Sequence, residues 1–366
     1  MKLQCLQENL ARTLTIVSRF TYPKVQLPVL ANILLSAKKN TLLVSATNLE
    51  TSICVSVGAK VDKEGEITVP ARVVTEIISN LAMGQISLKA EKEQLSISAP
   101  NFESTLSGMN SSDFPLVPQE VSKDILAIPK DVFLDSLSCV LFSSSVDDTR
   151  PVLTGILLII KKGEIVLVST DGFRLSQKKI KVKTDKEITM ILPSTVLGEL
   201  VRLPIEDEQI AFSFKKGENQ VVFGFSGTVL TSRIIEGEFP DFEKILPKSS
   251  NVKVTLDKEE LLRAVKLASV FARDAANVVK LTVKKDLLNI SAESSRSGKQ
   301  DARVEAKVEG EGIIIAFNYR FLEEFLNAVK GEEVRLEFSN PNAPGVFLDP
   351  KDPDFLHIIM PVRIQG

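Results

Sequence analysis

Apolar and polar residues alternate along this chain in short runs, and the runs recur. Ser36–Ala46 reads SAKKNTLLVSA, Ile159–Ser169 reads IIKKGEIVLVS and Thr282–Ala292 reads TVKKDLLNISA, so one strand-like pattern returns at a spacing of 123 residues. Strict alternation predicts half-buried strands. The lysine pairs Lys38-Lys39, Lys161-Lys162 and Lys284-Lys285 hold the same register. Other segments carry a helical period. An opening helix is predicted at Gln7–Ser18 with Leu10, Leu14 and Val17 on one face, at Pro129–Phe142 with Phe133, Leu137 and Val140, and at Asp257–Arg273 with Leu261, Val265 and Ala268. Pro129 suits a first helical turn, where its missing N–H costs nothing. A second helix follows in VPARVVTEIISNL from Val69, LPSTVLGELVRL from Leu192 and AFNYRFLEEFLNAV from Ala316. Its apolar positions include Val73, Ile77 and Leu81 in the first copy, and Phe321, Phe325 and Val329 in the third.

A period of this size is too long for a solenoid, whose repeats run roughly 20–50 residues, and is that of a whole domain. Each copy reads β-α-β-β-β-α-β-β-β, an α+β pattern with two helices packed on antiparallel sheets. The predicted domains are residues 1–118, 124–247 and 252–366. They are joined by polar stretches at Val117–Lys123 and Lys248–Val252, each of which follows a proline.

Composition narrows the chemistry. The 45 basic and 47 acidic side chains give a formal net charge of −2, unlike a protein held to nucleic acid by a large phosphate-binding patch. No apolar run reaches the roughly 20 residues of a membrane span, and no signal peptide is evident, so a cytoplasmic protein without membrane partners is expected. Cys5, Cys54 and Cys139 are scattered within apolar segments, the pattern of buried thiols rather than of disulfides or a zinc set. The single histidine, His357, lies in a terminal strand and reads as structural. No glycine-rich phosphate loop or metal-ligand spacing appears, so no catalytic residue, cofactor or metal is expected. A hydrolase or transferase using Asp147, Asp148 and Asp171 is the reading this disfavours. The run Glu206–Glu208 reads as a solvated face.

One stretch departs from its counterparts. Ser169-Thr170-Asp171-Gly172-Phe173-Arg174-Leu175 sets bulky groups beside an Asp-Gly turn. That dipeptide signals a tight corner, and the groups after it could form a site. With this motif the whole chain resembles the bacterial sliding clamps, the β subunits of DNA polymerase III. The resemblance rests on TRPVLTGILL (Thr149–Leu158), STDGFRLS (Ser169–Ser176), GEFPDFEKILP (Gly237–Pro247), FNYRFLEEFLNAVKGEEVRLEF (Phe317–Phe338) and IIMPVRI (Ile358–Ile364). It implies three clamp domains per chain and a head-to-tail homodimer closed into a ring around double-stranded DNA. The implied role is a non-catalytic processivity factor. It would tether the DNA polymerase III catalytic subunit, the clamp loader complex, and other polymerases and repair proteins that carry short linear peptides. A scaffold of the same three domains without encircled DNA is the alternative.

The resemblance also implies site residues. A partner-peptide pocket would draw on Arg150, Val152, Leu153, Thr170, Gly172, Phe173, Arg174 and Leu175 in the second domain. Pro240, Ile245, Asn318, Phe321, Pro344, Ile358, Met360, Pro361, Val362 and Arg363 complete it. Leu175, Ile245, Phe321, Ile358 and Met360 would line the groove, with Arg150 and Arg174 at its rim. DNA contacts would come from Lys24, Arg72 and Arg202. The dimer seam would join Ser104 and Leu106 to Val270 and Phe271. Ser104 stands where a bulky apolar residue is common in the family, which implies a weaker seam.

Overall fold

The computed structural model describes residues 1–22, 27–122, 124–247 and 249–363. Each of three repeats opens with a strand that leads directly into a helix. The first repeat runs β1 (Lys2–Leu6), α1 (Gln7–Val17), β2 (Asn32–Lys38), β3 (Thr41–Thr47), β4 (Thr51–Lys63), β5 (Gly65–Pro70), α2 (Ala71–Asn80), β6 (Gln85–Glu91), β7 (Gln94–Ala99) and β8 (Phe102–Ser107). The second runs β9 (Leu126–Pro129), α3 (Lys130–Leu141), β10 (Gly155–Lys161), β11 (Glu164–Thr170), β12 (Arg174–Lys181), β13 (Ile188–Pro193), α4 (Ser194–Arg202), β14 (Gln209–Lys215), β15 (Gln220–Phe225) and β16 (Thr228–Arg233). The third runs β17 (Val252–Asp257), α5 (Lys258–Ala272), β18 (Val278–Lys284), β19 (Leu287–Ser294), β20 (Gly298–Glu305), β21 (Lys307–Glu309), β22 (Ile314–Asn318), α6 (Tyr319–Ala328), β23 (Glu333–Phe338), β24 (Gly345–Asp349) and β25 (Asp352–Ile359).

The third repeat adds the short β21, and every repeat has one further strand that its sequence pattern does not suggest: β5, β13 and β22 run straight into α2, α4 and α6 with no turn between. Continuous apolar character hides the change of period there. Pro129 is also displaced from its expected place: it ends β9, opposite Gln209 of β14, and α3 begins at Lys130. Its missing N–H falls at the end of a short edge strand, where proline is tolerated. The face of α2 differs too. Ala71, Val74 and Ile78 are buried, whereas Val73 is exposed and Ile77 and Leu81 are half-buried.

The chain packs as two compact units. One contains Met1–Asp131 and Arg202–Ile234, the other Val132–Val201 and the residues from Ile235 onward. The division falls inside the middle repeat because its strands pair with both neighbours. In the first unit β16 lies antiparallel to β4, with Ile53 opposite Leu230, and the sheet runs β8-β7-β6-β1-β4-β16-β15-β14-β9. The 13-residue β4 makes this possible. Its last residues pair with β1 and its first with β16. In the second unit β25 lies antiparallel to β12, within a sheet ordered β13-β10-β11-β12-β25-β24-β23-β17-β21. A four-stranded sheet, β20-β19-β18-β22, completes that unit.

The helices cover these sheets. In the first unit α1 packs on α2, and the buried Gln7 side chain donates from Nε2 to the Ile78 carbonyl at 2.6 Å. In the second, α5 lies on β18–β20 and against α6. Asp257 caps α5 by accepting from Glu260 N at 2.8 Å, a contact worth roughly 0.5–2 kcal/mol. The core around α5 and α6 joins Leu261, Val265 and Ala268 to Phe317, Phe325, Phe338 and Phe347. Cys5, Cys54 and Cys139 are free and buried. Burial pushes the Cys5 thiol up to about 12 and that of Cys139 to about 11.

The stretch between the first two repeats also packs down. Val117 and Val121 sit on Cys54, Val222 and Val229 where β4 meets β16. A Cβ at Gly224 would come within 2.2 Å of Val121 Cγ2, so the sheet is bare at that point to admit the valine. Gly224→Ala is therefore expected to destabilise the protein by about 1–3 kcal/mol. Val121→Ala in the same chain should return much of that loss in denaturant melts. Equal stability of Gly224→Ala and the parent would show that Val121 does not rest there.

Candidate partner-binding site

The Asp-Gly corner lies between β11 and β12 and is shaped by its own side chains. Gly172 adopts φ +92°, a left-handed conformation that glycine takes without strain. Thr170 Oγ1 donates to the Arg174 carbonyl at 2.6 Å and accepts from Gly172 N at 3.1 Å. Asp171 Oδ1 accepts from Phe173 N at 2.9 Å and from Arg174 N at 3.1 Å. These bonds turn Phe173 outward, leaving it 62% exposed, and turn Arg174 inward.

Arg174 is not a rim group: it is only 8% exposed. Its Nε meets Asp171 Oδ2 at 3.0 Å, and its Nη1 is ion-paired with Glu324 of α6. The guanidinium carbon stands 4.3 Å from the ring centroid of Phe321 and 5.6 Å from that of Phe142. Two carboxylates and two π faces satisfy a charge that would otherwise be costly to bury. Arg150 does lie at the surface, paired with Asp147 at 3.7 Å, and its Nη1 is 3.6 Å from where a Gly172 Cβ would be.

Below the corner, Leu175 faces Ile358 across the β12–β25 ladder. Both are buried in a cluster with Leu157, Val166, Val168, Ile191 and Phe242, against which Val152, Phe239 and Leu246 pack. They form a floor rather than an exposed lining. Ile245 closes the short 3-10 turn Phe242–Ile245 and is 39% exposed. The C-terminal segment is held by main-chain bonds from Met360 N to the Phe173 carbonyl and from Val362 N to the Ala316 carbonyl, both 2.8 Å. Met360 and Val362 remain partly exposed. The corner, the floor and this segment are thus one locality, with Phe321 reaching it through Arg174.

The other residues are placed less directly. Leu153 is buried in the turn Pro151–Thr154. The Asn318 side chain caps α6, accepting from Arg320 N at 3.0 Å. Pro344 precedes Gly345, which faces Ile359 across the β24–β25 ladder. Pro240 is exposed, Pro361 is half-buried and Arg363 is exposed. Arg72 is an exposed residue in the first turn of α2, and Arg202 ends α4. Lys24 lies outside the described residues. Leu106 is buried, Ser104 and Phe271 are half-buried, and Val270 is 58% exposed.

Sequence reasoning missed the polar row beneath the corner. Ser143 Oγ and Ser176 Oγ are 2.7 Å apart, and Ser176 Oγ is 2.8 Å from His357 Nδ1. His357 is wholly buried and stacks on Phe325, and its Nε2 has no hydrogen-bond partner among the described residues. The three residues come from segments far apart in the chain, so spacing could not reveal them.

Burial, reinforced by the nearby Arg174 charge, holds the His357 imidazole well below its ordinary 6.5. The unfolded chain takes up a proton as pH falls through about 6.5, and the folded chain does not. A histidine depressed in this way costs stability on acidification, by about 1.4 kcal/mol per pH unit below that point. Unfolding free energy between pH 6.5 and 5 should show this slope, and His357→Phe should flatten it. An unchanged slope in the variant would place the titrating group elsewhere.

Comparison with known proteins places this geometry in a family. Models of the DNA polymerase III beta subunit match over the chain: the N-terminal domain at residues 1–118, the central domain at 127–241 and the C-terminal domain at 243–363. The beta sliding clamp of Staphylococcus epidermidis is 30% identical, over 93% of each chain. That of Synechococcus elongatus is 29% identical, over the whole of both. Among solved structures, the DNA polymerase sliding clamp of Bacillus subtilis superposes with a TM-score of 0.95 at 25% identity, covering 100% of both chains. The DNA polymerase III subunit beta of Pseudomonas aeruginosa gives 0.93 at 25% identity, again over 100% of both. With three clamp domains in series and similarity along its length, this chain belongs to the beta sliding clamp family of DNA polymerase III beta subunits.

Proposed function

We propose that this protein is a DNA sliding clamp: two chains close head to tail around duplex DNA and tether a polymerase to it. The observation that carries this reading is the joint between repeats. The last strand of the second repeat, β16, pairs with β4 of the first, and the last strand of the third, β25, pairs with β12 of the second. By that rule the remaining partners are β8 and β20, and each is the edge strand of its sheet. One chain has one edge of each kind. Two chains satisfy both pairs through two identical contacts, which is closed symmetry. The family membership and the match to sliding clamp structures support the same closure.

In this reading the domains are residues 1–118, 124–247 and 252–366. The chain does no chemistry, and any polymerase activity belongs to its partner. Topology holds the duplex, so phosphate contacts by groups such as Lys24, Arg72 and Arg202 need only be weak. The surface around the Asp171-Gly172 corner receives short peptides of polymerases, the clamp loader and repair proteins. Phe173, Ile245, Met360 and Val362 offer exposed apolar area there, and Arg150 supplies a charge for orientation, the balance expected of a small binding site.

Protein loaded on closed circular DNA should survive a rise in salt and be lost when the circle is cut. A protein held by 6–10 phosphate contacts alone would lose roughly 10³–10⁵ in affinity between 50 and 200 mM salt. Equal retention on linear and circular DNA would overturn encirclement and favour a scaffold that holds partners without DNA. For the peptide surface, Met360→Ala should weaken a labelled polymerase C-terminal peptide by about 1–3 kcal/mol while dimer sedimentation stays unchanged. Unaltered peptide affinity would move the peptide to another surface.

A further inference from the structure

Residues directly opposite one another in an antiparallel sheet point to the same face, so a row can be followed across each sheet through its ladders. In the first unit one row reads Ala46, Ile53, Leu230, Phe223, Phe212 and Leu126. In the second the equivalent row reads Ser169, Ser176, His357, Phe347, Leu336 and Val254. All twelve residues are buried. Each row crosses a joint between repeats, at Ile53–Leu230 and at Ser176–His357. One joint pair is apolar. The other is polar and hydrogen-bonded at 2.8 Å.

The third such row is cut in two. Ala292 faces Gln300 on β20, and there the sheet ends. Leu3, Leu88 and Ile97 lead to Ser104 on β8, and there that sheet ends. The ladders fix the equivalence. Gly58, Lys181 and Glu305 stand opposite Thr41, Glu164 and Leu287. Five residues back along each strand lie Ile53, Ser176 and Gln300. Gln300 and Ser104 are half-buried, while the rest of the row is buried. Gln300 Oε1 is itself buried and has no hydrogen-bond partner among the described residues. A buried amide oxygen left unpaired is costly, and its counterpart Ser176 is paired across its joint.

We propose that Gln300 of one chain and Ser104 of a second stand opposite each other at the seam, with Gln300 Oε1 accepting from the Ser104 hydroxyl. This rests on the proposed two-chain closure and deepens it by fixing the register. Gly298 then faces Leu106, on the same face as Gln300 and beside Phe271, whose ring lies 3.9 Å from where a Gly298 Cβ would be. Ala302 faces Phe102. On the other face Glu103 meets Asp301, a like-charged pair flanked by Lys299 and Arg303. Ser104 is thus half of a polar pair rather than a worn apolar contact.

A disulfide scan tests the register. Ser104→Cys with Gln300→Cys should oxidise to a covalent dimer, since opposite strand residues lie within disulfide reach. Ser104→Cys with Ala302→Cys, on the same face but two residues out of register, should not. The native cysteines are buried and do not compete. Sedimentation adds a second readout. Ser104→Ala should weaken the dimer by at least about 5-fold by leaving the amide oxygen unpaired. Ser104→Leu with Gln300→Leu, copying Ile53 and Leu230, should restore it. Crosslinking by the Ser104→Cys, Ala302→Cys pair overturns the register and leaves the ring standing. So does a dimer in which Ser104→Cys and Gln300→Cys form no crosslink. A parent protein that stays monomeric at micromolar concentration overturns the ring itself.

Discussion

Strand pairing across repeat boundaries is the constraint on which the rest of this structure depends. A sheet edge exposes a row of unpaired N–H and C=O groups, and each repeat has one such edge on either side where it can meet another repeat. Pairing β16 with β4 and β25 with β12 settles four of them with main-chain bonds. The length of β4 follows from this, because one strand must serve β1 at one end and β16 at the other. The bare surface at Gly224 follows as well, since the connecting stretch needs somewhere to lie once the two repeats share a sheet.

The candidate partner site is a by-product of the second joint. Leu175 and Ile358 face each other because β12 and β25 pair, and that ladder brings the Asp171-Gly172 corner beside the C-terminal segment. Arg174 is the tie between corner and helix. Its charge is met by Asp171 and Glu324 and its faces by Phe142 and Phe321. An arginine so enclosed orders its surroundings more than it advertises a charge to solvent, while Phe173, Ile245 and Met360 are exposed.

Much of this was legible in the chain. The repeated alternation around the lysine pairs located β2–β3, β10–β11 and β18–β19, and the helical periods located all six helices to within a few residues. Where a strand ran into a helix without a turn residue, the period could not show the change, and β5, β13 and β22 were absorbed into their neighbours. Helix faces were legible only in part. Val73 and Val74 are equally apolar, and only packing distinguishes the exposed one from the buried one. The motifs gathered by family resemblance do converge around Arg174 and Leu175. The inward turn of Arg174 depends on an acceptor 150 residues away in Glu324, and no local pattern carries such information. The same is true of the Ser176–His357 bond.

The repeat joint also bears on how such a chain could arise. A single repeat would present one edge like β4 and one like β16, complementary to each other rather than to themselves. Copies of it would associate in series before any two were covalently linked. Duplication would then turn an encounter between molecules into one within a chain, where effective concentration is far higher. Each linked joint would be released from the need to be strong enough to assemble from dilute solution, and its residues would be free to change. The divergence of Ile53–Leu230 from Ser176–His357 at equivalent positions is the trace such relaxation would leave.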